Sequence, residues 1–198
     1  MKKLDIVIAT GNKNKIKEYK ELFKGYPINV TSIKDEGITL DVEETGSTFI
    51  ENSLIKARYV ASKLDKVVIA DDSGLCVHAL DDFPGIYSAR FKENEPYSSK
   101  HKAILEMLEG KEDKSAHFTC AIVFIDAKEN VEKTFEGKCY GRIIEPIEGP
   151  YGFGYDPIFV PNGKEEPFSV LPDEVKNDIS HRGVATKLLM DFLKDYLK

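Results

Sequence analysis

The chain contains 198 residues, of which 41% are hydrophobic and 31% are charged. This mixture is typical of a globular protein and excludes a disordered or fibrous chain. The 28 basic and 34 acidic residues give a net charge of -6, which argues against a general binder of nucleic acids or anionic membranes. The length predicts one domain over residues 1–198.

The cysteines and the hydropathy of the chain indicate a cellular compartment. The three cysteines are odd in number and show no C-x-x-C spacing, which argues against a disulfide framework or a zinc site. The longest apolar run is too short to cross a bilayer, and Asp5 interrupts the N-terminal run where a signal peptide would need an apolar core. We therefore expect a soluble, cytoplasmic protein that does not enter membranes.

The predicted elements of the first half alternate between strands and helices, which is the pattern of an α/β fold. They are a strand over residues 4–9, a helix over 14–23, a strand over 28–33, a loop over 35–45, a helix from residue 48 and a buried strand over 67–70. Thr48 and Glu51 have the spacing of a capping box, which marks the start of the second helix.

The second half adds a hairpin and two further helices. They are a helix over residues 98–108, strands over 118–125 and 131–144 joined by a turn at 127–130, and a final helix with an apolar stripe from Val184 to Leu197. We interpret that stripe as part of the core; the alternative is an interaction surface of a scaffold protein. Helices and a hairpin together predict an α/β fold around a mixed β-sheet.

The turn after the first strand is a candidate phosphate site. It consists of Thr10, Gly11, Asn12, Lys13, Asn14 and Lys15. Amides at a helix N-terminus favour anions, and glycine allows a phosphate to approach the backbone closely. The Walker A pattern is absent, so an ordinary turn with solvated lysines is the alternative.

Two groups of acidic residues are candidate metal ligands. Glu43 and Glu44 lie in the acidic loop, and Asp71 and Asp72 follow the buried strand directly. We expect the two aspartates at the carboxyl end of that strand, where open α/β sheets bind ligands. Crowded carboxylates repel one another and attract cations, and their hard oxygens suit Mg²⁺ or Mn²⁺. The alternatives are a solvated loop and an Asx-type turn capped by Ser73.

A glycine-rich segment over residues 149–157 is a candidate site for a nucleobase. An exposed Phe153 could stack on a base, and we expect Asp156, which precedes a proline, to be extended with an available carboxylate. The alternative is a β-turn that places Phe153 and Tyr155 in the core.

Basic residues precede the final helix. Lys176, His181 and Arg182 lie near its N-terminus, where their charges oppose the helix dipole and would favour an anionic or acceptor-rich ligand. Ser180 is the expected N-cap. His181, between Ser180 and Arg182, is a stronger candidate than the other three histidines.

Together these segments resemble the inosine triphosphate pyrophosphatase family, which removes non-canonical purine nucleoside triphosphates. The matching motifs, in family order, are Thr10-Gly11-Asn12-x-x-Lys15, Glu43-Glu44-Thr45-Gly46 with Phe49-x-Glu51-Asn52, Ala70-Asp71-Asp72-Ser73-Gly74-Leu75, Pro84-Gly85-Ile86-Tyr87-Ser88-Ala89-Arg90, Gly152-Phe153-Gly154-Tyr155-Asp156-Pro157 and Ile179-Ser180-His181-Arg182. One such motif is common by chance, but six in order cover nearly the whole chain.

The resemblance implies hydrolysis of ITP, dITP and XTP to the monophosphate and pyrophosphate by a homodimer that uses Mg²⁺, with Mn²⁺ as a possible substitute. It also implies an elongated mixed sheet and a substrate cleft between two lobes. By position, the resemblance implies a triphosphate site at Thr10–Lys15, with Lys15 as the key cation and Ser73 as a further substrate contact. It implies that Asp72 is the general base and a metal ligand, and that Glu43 or Glu44 is a second metal ligand. The implied pocket for the nucleobase consists of Phe153, Gly154, Tyr155, Asp156, Lys176, His181 and Arg182.

The implied chemistry also predicts which nucleobases the enzyme accepts. Hypoxanthine and xanthine present an acceptor O6 where adenine presents a donor, so a hydrogen-bond donor from His181 or Arg182 would disfavour adenine. Guanine shares O6 and must be excluded through its 2-amino group. The alternatives are a pyrophosphatase for modified pyrimidine or methylated nucleotides, and a nucleotide-sensing module without catalysis.

Overall fold

The computed structural model describes residues 3–198, and it has the mixed α/β architecture that the alternating elements predict. The strands are β1 (Leu4–Ile8), β2 (Ile28–Ser32), β3 (Val67–Val77), β4 (Phe83–Pro84), β5 (Ser115–Asp126), β6 (Val131–Ile143) and β7 (Phe159–Pro161). The helices are α1 (Lys13–Leu22), α2 (Phe49–Ala61), α3 (Tyr97–Met107), α4 (Asp173–Ile179) and α5 (His181–Tyr196). The sequence did not predict β4, β7 or α4, because elements this short show too little hydrophobic periodicity.

The strands form one mixed sheet in the order β2-β1-β3-β5-β6-β7, and β4 pairs with β3 beside this path. β1 lies parallel to both β2 and β3, with Ile6 opposite Val30 on one side and Val67 on the other. β6 and β7 are antiparallel. Parallel pairing around β1 is possible because helices α1 and α2 supply the long connections that parallel strands require.

The chain is organised as two compact units. Unit 1 comprises the described part of residues 1–72 with Cys120–Gly137 and Ala185–Lys198. Unit 2 comprises Ser73–Thr119 and Lys138–Val184.

Unit 1 has an apolar cluster on each face of its part of the sheet. Because strand side chains alternate between faces, Ile6 and Ile8 join one cluster while Val7 joins the other. Helix α5 covers the first cluster through Leu189 and Leu193. This confirms the core packing of the final apolar stripe, with one departure: Leu188 is 45% exposed.

Unit 2 has one aromatic-rich core. Leu75 and Val77 of β3 pack with Ile104 of α3 and with Phe118 and Phe159 of β5 and β7. The Phe118 and Phe159 rings meet edge to face at a centroid separation of 4.6 Å. Such aromatic pairs contribute about 0.5–1.5 kcal/mol beyond the area that they bury.

The N-terminus of α2 differs in one detail from the predicted capping box. Thr48 Oγ1 accepts a hydrogen bond from the Glu51 amide at 3.1 Å, as predicted. The Glu51 carboxylate accepts mainly from Ser47, through its amide at 2.6 Å and its hydroxyl at 2.8 Å. The hydrogen bonds that stabilise the start of α2 therefore extend to Ser47, one residue before the N-cap Thr48.

The three cysteines are free and buried. Within residues 3–198, no helix is both long and apolar enough to span a membrane.

Candidate active site

The two adjacent aspartates lie in the middle of β3, and the predicted strand end at Ala70 is wrong. β3 continues to Val77, so no turn follows Ala70 and the Asx-turn alternative is excluded. Successive side chains of a strand point to opposite faces, which separates the carboxylate of Asp71 from that of Asp72. Each carboxylate consequently has a different lysine as its ion-pair partner.

Asp71 is the inner carboxylate of the pair and is fully buried. Its Oδ1 lies 3.2 Å from Lys15 Nζ, and its Oδ2 accepts a long hydrogen bond of 3.6 Å from Cys120 Sγ. Lys15 comes from α1, so this ion pair ties the first helix to β3. A buried carboxylate requires such a partner, because an unpaired buried charge is very costly.

Asp72 faces Lys56, a buried lysine of α2 that the sequence analysis did not identify. Lys56 Nζ lies 3.6 Å from Asp72 Oδ1 and 3.4 Å from Glu44 Oε1, and it donates to the Asp71 carbonyl at 2.9 Å. Burial raises the pKa of Asp72, while the charges of Lys56 and Lys15 lower it and those of Glu44 and Asp71 raise it further. The net effect is a pKa above the ordinary value of an aspartate, which favours a role as a proton acceptor.

Glu44, and not Glu43, lies beside Asp72. The Glu43 side chain is exposed, whereas Glu44 is half-buried and contacts Lys56. The loop is anchored by the Gly46 amide, which donates to Asn52 Oδ1 of α2 at 2.8 Å. A Cβ at Gly46 would lie 2.7 Å from that same oxygen, so only glycine allows the close approach.

Glu44, Asp71 and Asp72 form a carboxylate cluster whose counter-charges are Lys15 and Lys56. Three carboxylates against two ammonium groups leave an excess of negative charge, which favours a bound cation. Asp72 Oδ2 is also buried and has no hydrogen-bond partner among residues 3–198. A free carboxylate oxygen beside Glu44 fits the oxygen ligands that Mg²⁺ or Mn²⁺ takes.

The turn before α1 is partly occupied by its own side chains. Asn12 caps α1 through Oδ1, which accepts from the amides of Asn14 and Lys15 at 2.9 and 3.3 Å. Thr10 Oγ1 accepts from the Asn12 amide at 3.1 Å. Since these amides are already satisfied, a phosphate here would depend more on the lysines than the sequence predicted.

The amides of Gly11 and Lys13 are the part of this turn that remains open to an anion, since neither is hydrogen-bonded within the described chain. Gly11, Lys13 and Asn14 are all exposed, whereas Thr10 is buried. The turn therefore retains donors and positive charge for a phosphate group.

The Phe153–Asp156 loop is built around the carboxylate of Asp156. Asp156 Oδ2 accepts from the Phe153 amide at 2.8 Å and from Lys176 Nζ at 2.7 Å, and the residue is 3% exposed. Gly152 has a φ of +72°, and a Cβ there would overlap the Asp156 carboxylate. The expectation of an extended Asp156 with an available carboxylate is therefore wrong: the residue begins a short 3-10 helix and closes the loop.

Lys176 and Phe153 are held together by the same contacts. Lys176 Nζ lies 4.6 Å from the centroid of the Phe153 ring, within cation–π distance. Phe153 is half-buried, while Tyr155 is in the core and donates through its hydroxyl to the Ser88 carbonyl at 2.7 Å. Of the predicted aromatic pair, only Phe153 keeps an accessible surface for stacking.

The start of α5 contains the remaining basic residues in a buried setting. Ser180 Oγ accepts from the Gly183 amide at 3.1 Å, which confirms it as the cap. Arg182 is 1% exposed and donates from Nη2 to Ser73 Oγ at 3.0 Å, and the His181 ring stacks on Phe118 at 4.7 Å. Both side chains are thus held in fixed positions.

The sequence analysis missed the residues that support these groups. Lys56 and Asn52 lie four residues apart on the buried face of α2. The motif contained Asn52 without a role for it, and the helical spacing from Asn52 to Lys56 was the available signal. In unit 2, His101 Nε2 lies 2.7 Å from the Gly154 carbonyl oxygen, and the ring of Tyr97 meets that of Tyr155 edge to face. A histidine and a tyrosine four residues apart on α3 carried no distinguishing pattern.

The fold and the site define a mixed α/β protein whose strand β3 carries two carboxylates. Lysines of α1 and α2 pair with them, and together these groups suit a metal ion and phosphates. The Ham1 family model matches residues 6–192, and the chain belongs to this family. This confirms the family resemblance that the six motifs predict.

The chain is 44% identical over 193 residues to a dITP/XTP pyrophosphatase of Thermoanaerobacter pseudethanolicus, with 96% of each chain covered. The Ham1 protein of Staphylococcus aureus superposes with a TM-score of 0.86 at 40% identity, covering 97% of this chain and 99% of that one. A HAM1 protein of Coxiella burnetii gives a TM-score of 0.87 at 37% identity, with the same coverage.

Proposed function

We propose that this protein hydrolyses the non-canonical purine nucleoside triphosphates ITP, dITP and XTP to the monophosphate and pyrophosphate, and so removes them from the nucleotide pool. Family membership and the names of relatives such as the Thermoanaerobacter enzyme support this reaction. The observation that carries the proposal is Asp72: a buried carboxylate of raised pKa, with one oxygen unpartnered among residues 3–198 and Glu44 nearby.

Asp72 is the proposed general base. A carboxylate whose pKa is raised accepts a proton more readily than an ordinary aspartate. It would take the proton of a water that attacks the α-phosphorus, and pyrophosphate would leave. Lys15 and the open amides of Gly11 and Lys13 would stabilise the negative charge of the triphosphate.

Glu44 and Asp72 are the proposed ligands of Mg²⁺, with Mn²⁺ as a possible substitute. When bound, the ion would neutralise phosphate charge and acidify water. Lys56 holds both carboxylates within 3.6 Å of its ammonium group and so keeps them close together. Ser73, which follows Asp72 in the chain, is the proposed substrate contact next to them.

The base would be recognised by residues of unit 2. Phe153 is the proposed stacking surface, in the loop formed by Gly154, Tyr155 and Asp156. Asp156 acts there as a positioning residue, because it holds Lys176 and the Phe153 amide. The donors of His181 and Arg182 would select the acceptor O6 of hypoxanthine and xanthine over the amino group of adenine.

We further propose that the active form is a cytoplasmic homodimer that acts as one pyrophosphatase domain per chain and binds neither nucleic acid nor membranes. The family resemblance is the support for the dimer, and the acidic net charge of -6 is the support for the absence of nucleic-acid binding. The implied cleft between two lobes stays a prediction. Analytical ultracentrifugation of the purified chain tests the dimer directly.

The first test is a substrate panel at saturating Mg²⁺. ITP, dITP, XTP, GTP, ATP, CTP and UTP are compared for release of pyrophosphate and of orthophosphate. Preference for the first three with pyrophosphate as the product supports the proposal. A preference for pyrimidine or methylated nucleotides would replace the substrate class, and binding without any turnover would indicate a nucleotide sensor.

The Asp72→Asn variant tests the assignment of Asp72 as the general base. We expect the turnover rate for ITP to fall by about 10²–10⁴-fold, the contribution typical of a general base, while ITP still binds. Asp113→Asn, at an exposed carboxylate outside the cluster, is the matched control. Full activity of Asp72→Asn would contradict the assignment.

A further inference from the structure

A second group of candidate metal ligands lies in unit 2, and none of its three residues is assigned to nucleotide hydrolysis. His78 follows β3, Asp82 lies in the next turn, and His117 is on β5. One donor atom from each of the three side chains lies within 4.8 Å of the other two. We propose that these residues form a binding site for a divalent transition-metal ion, with Zn²⁺ as the preferred ion.

The two imidazoles already face each other through their nitrogens. His78 Nε2 lies 2.7 Å from His117 Nδ1. Zinc takes imidazole nitrogens at about 2.0–2.1 Å, which places two tetrahedral ligands about 3.3 Å apart. The rings must therefore separate by well under an ångström to admit the ion.

The second ring nitrogen of His78, Nδ1, has an oxygen as its hydrogen-bond partner, as metal-bound histidines usually do. His78 Nδ1 lies 2.8 Å from Ser115 Oγ, which can accept its N–H. Metal-bound histidines nearly always donate their second ring N–H to an oxygen, because this bond fixes the tautomer and directs the free lone pair at the ion. With Nδ1 protonated, His78 Nε2 accepts the N–H of His117 Nδ1, and a bound ion would take the place of that proton.

The turn after β3 positions the backbone of Asp82. The Asp82 amide donates to the Val77 carbonyl at 3.1 Å, and the Asp81 amide donates to the His78 carbonyl at 3.2 Å. These bonds place Asp82, with a φ of +61°, back beside the end of the strand. Asp82 is exposed and His117 is buried, so an ion could enter from solvent.

Charged residues near His117 have opposing effects on a bound cation. Asp82 favours a cation here, whereas Lys138 opposes one. Neutral imidazole is the form that binds metals. The exposed ring of Tyr140 packs 5.2 Å from that of His117 and shields one side of the cluster.

The donor set decides which ion fits. Two imidazoles and one carboxylate suit Zn²⁺, and they leave its fourth position to water. Mg²⁺ prefers oxygen ligands alone, so it should occupy the carboxylate cluster of unit 1 and not this site. The two sites can therefore be filled with different ions in one experiment.

The test is isothermal titration calorimetry of the full chain with ZnCl₂ in excess Mg²⁺. We expect one Zn²⁺ per chain, and we expect His117→Gln and His78→Gln each to weaken its affinity by more than about tenfold, since even outer-sphere changes cost 10–100-fold. Asp82→Asn should weaken it as well, and Asp81→Asn, at the neighbouring exposed carboxylate, is the matched control.

Nitrogen NMR of the wild-type histidines gives a readout that needs no variant. Zn²⁺ should shift the ring nitrogens of His78 and His117 and leave those of His101 unchanged. Unshifted resonances, or the same Zn²⁺ affinity in folded His78→Gln and His117→Gln, would overturn the proposal. Loss of Zn²⁺ binding in Asp72→Asn alone would also overturn it, because the ion would then lie in unit 1.

Discussion

At the scale of single residues, the two neighbouring aspartates of β3 show how one strand gives two carboxylates different surroundings. Asp71 is fully buried and bonded to Lys15, so it acts as a fixed counter-charge. Asp72 keeps a buried oxygen without a hydrogen-bond partner among residues 3–198, and its pKa is raised. The alternation of strand side chains causes this difference, because it gives each carboxylate its own surroundings.

Lys56 should set the pH dependence of hydrolysis. Its charge lowers the pKa of Asp72, so Lys56→Met should raise that pKa further. Because a general base must be ionised, activity should then be lost at a higher pH than in the wild type as the solution is acidified. Rates of pyrophosphate release across the acidic range measure this shift.

Lys66→Met is the control for that experiment, since Lys66 pairs with Glu36 on the surface. Its pH profile should match that of the wild type. Circular dichroism of Lys56→Met establishes that the variant is folded. An acidic limb that stays in place, or moves to lower pH, would argue against Asp72 as the base.

Glu44 and Glu43 provide a matched pair for the metal site. Only Glu44 contacts Lys56 beside Asp72, and Glu43 is exposed. Glu44→Gln should raise the Mg²⁺ concentration for half-maximal activity by about tenfold or more, because loss of a ligand costs at least as much as loss of an outer-sphere partner. Glu43→Gln should leave it unchanged, and the reverse result would assign the ligand to Glu43.

At the scale of elements, short helix ends and loops position the groups that we propose contact the substrate. Ser180 ends α4 and caps α5, and so it fixes the chain between Lys176 and Arg182. Asp156 organises its own loop in a similar way, through one carboxylate that binds an amide and an ammonium group. In both cases a local hydrogen bond determines where a basic side chain lies.

Removal of the cap should destabilise the protein measurably. Ser180→Ala should lower the free energy of unfolding by about 1 kcal/mol, the usual cost of losing a helix cap. Ser98→Ala, at an exposed serine of α3, is the control and should change stability by less than about 0.5 kcal/mol. Urea unfolding measures both, and equal stabilities would show that the Ser180 hydroxyl contributes nothing.

At the scale of the whole molecule, three strands continue from one compact unit into the other. β3, β5 and β6 each contribute residues to unit 1 and unit 2. β5 is almost entirely buried, whereas exposed and buried residues alternate along much of β6.

This burial predicts the order of amide hydrogen exchange. Amides of β5 from Phe118 to Phe124 should exchange last, because their opening requires loss of buried packing. Amides of β2, at the end of the strand order and partly exposed, should exchange much sooner. Exchange followed by mass spectrometry measures this, and faster exchange in β5 than in β2 would contradict it.

The sequence by itself determined the fold class, the long elements and the family. Hydrophobic periodicity placed β1, α1 and β2 within one residue of their observed bounds, because packing against a core imposes those periods. The motifs also predict roles for Asp72, Lys15 and the basic residues around the start of α5, and these roles stay predictions. Hydrophobic periodicity and short motifs are local patterns, so the order of residues alone is enough to recognise them.

Only the tertiary structure decided how those residues are paired. Lys56 and Glu44 meet Asp72 from different parts of the chain, and no sequence spacing specifies such a contact. The continuation of β3 beyond Ala70 was missed for the same reason. Asp71 and Asp72 can be buried in a strand because Lys15 of α1 and Lys56 of α2 neutralise their charges. Burial and electrostatics depend on neighbours in space, which the folded chain alone supplies.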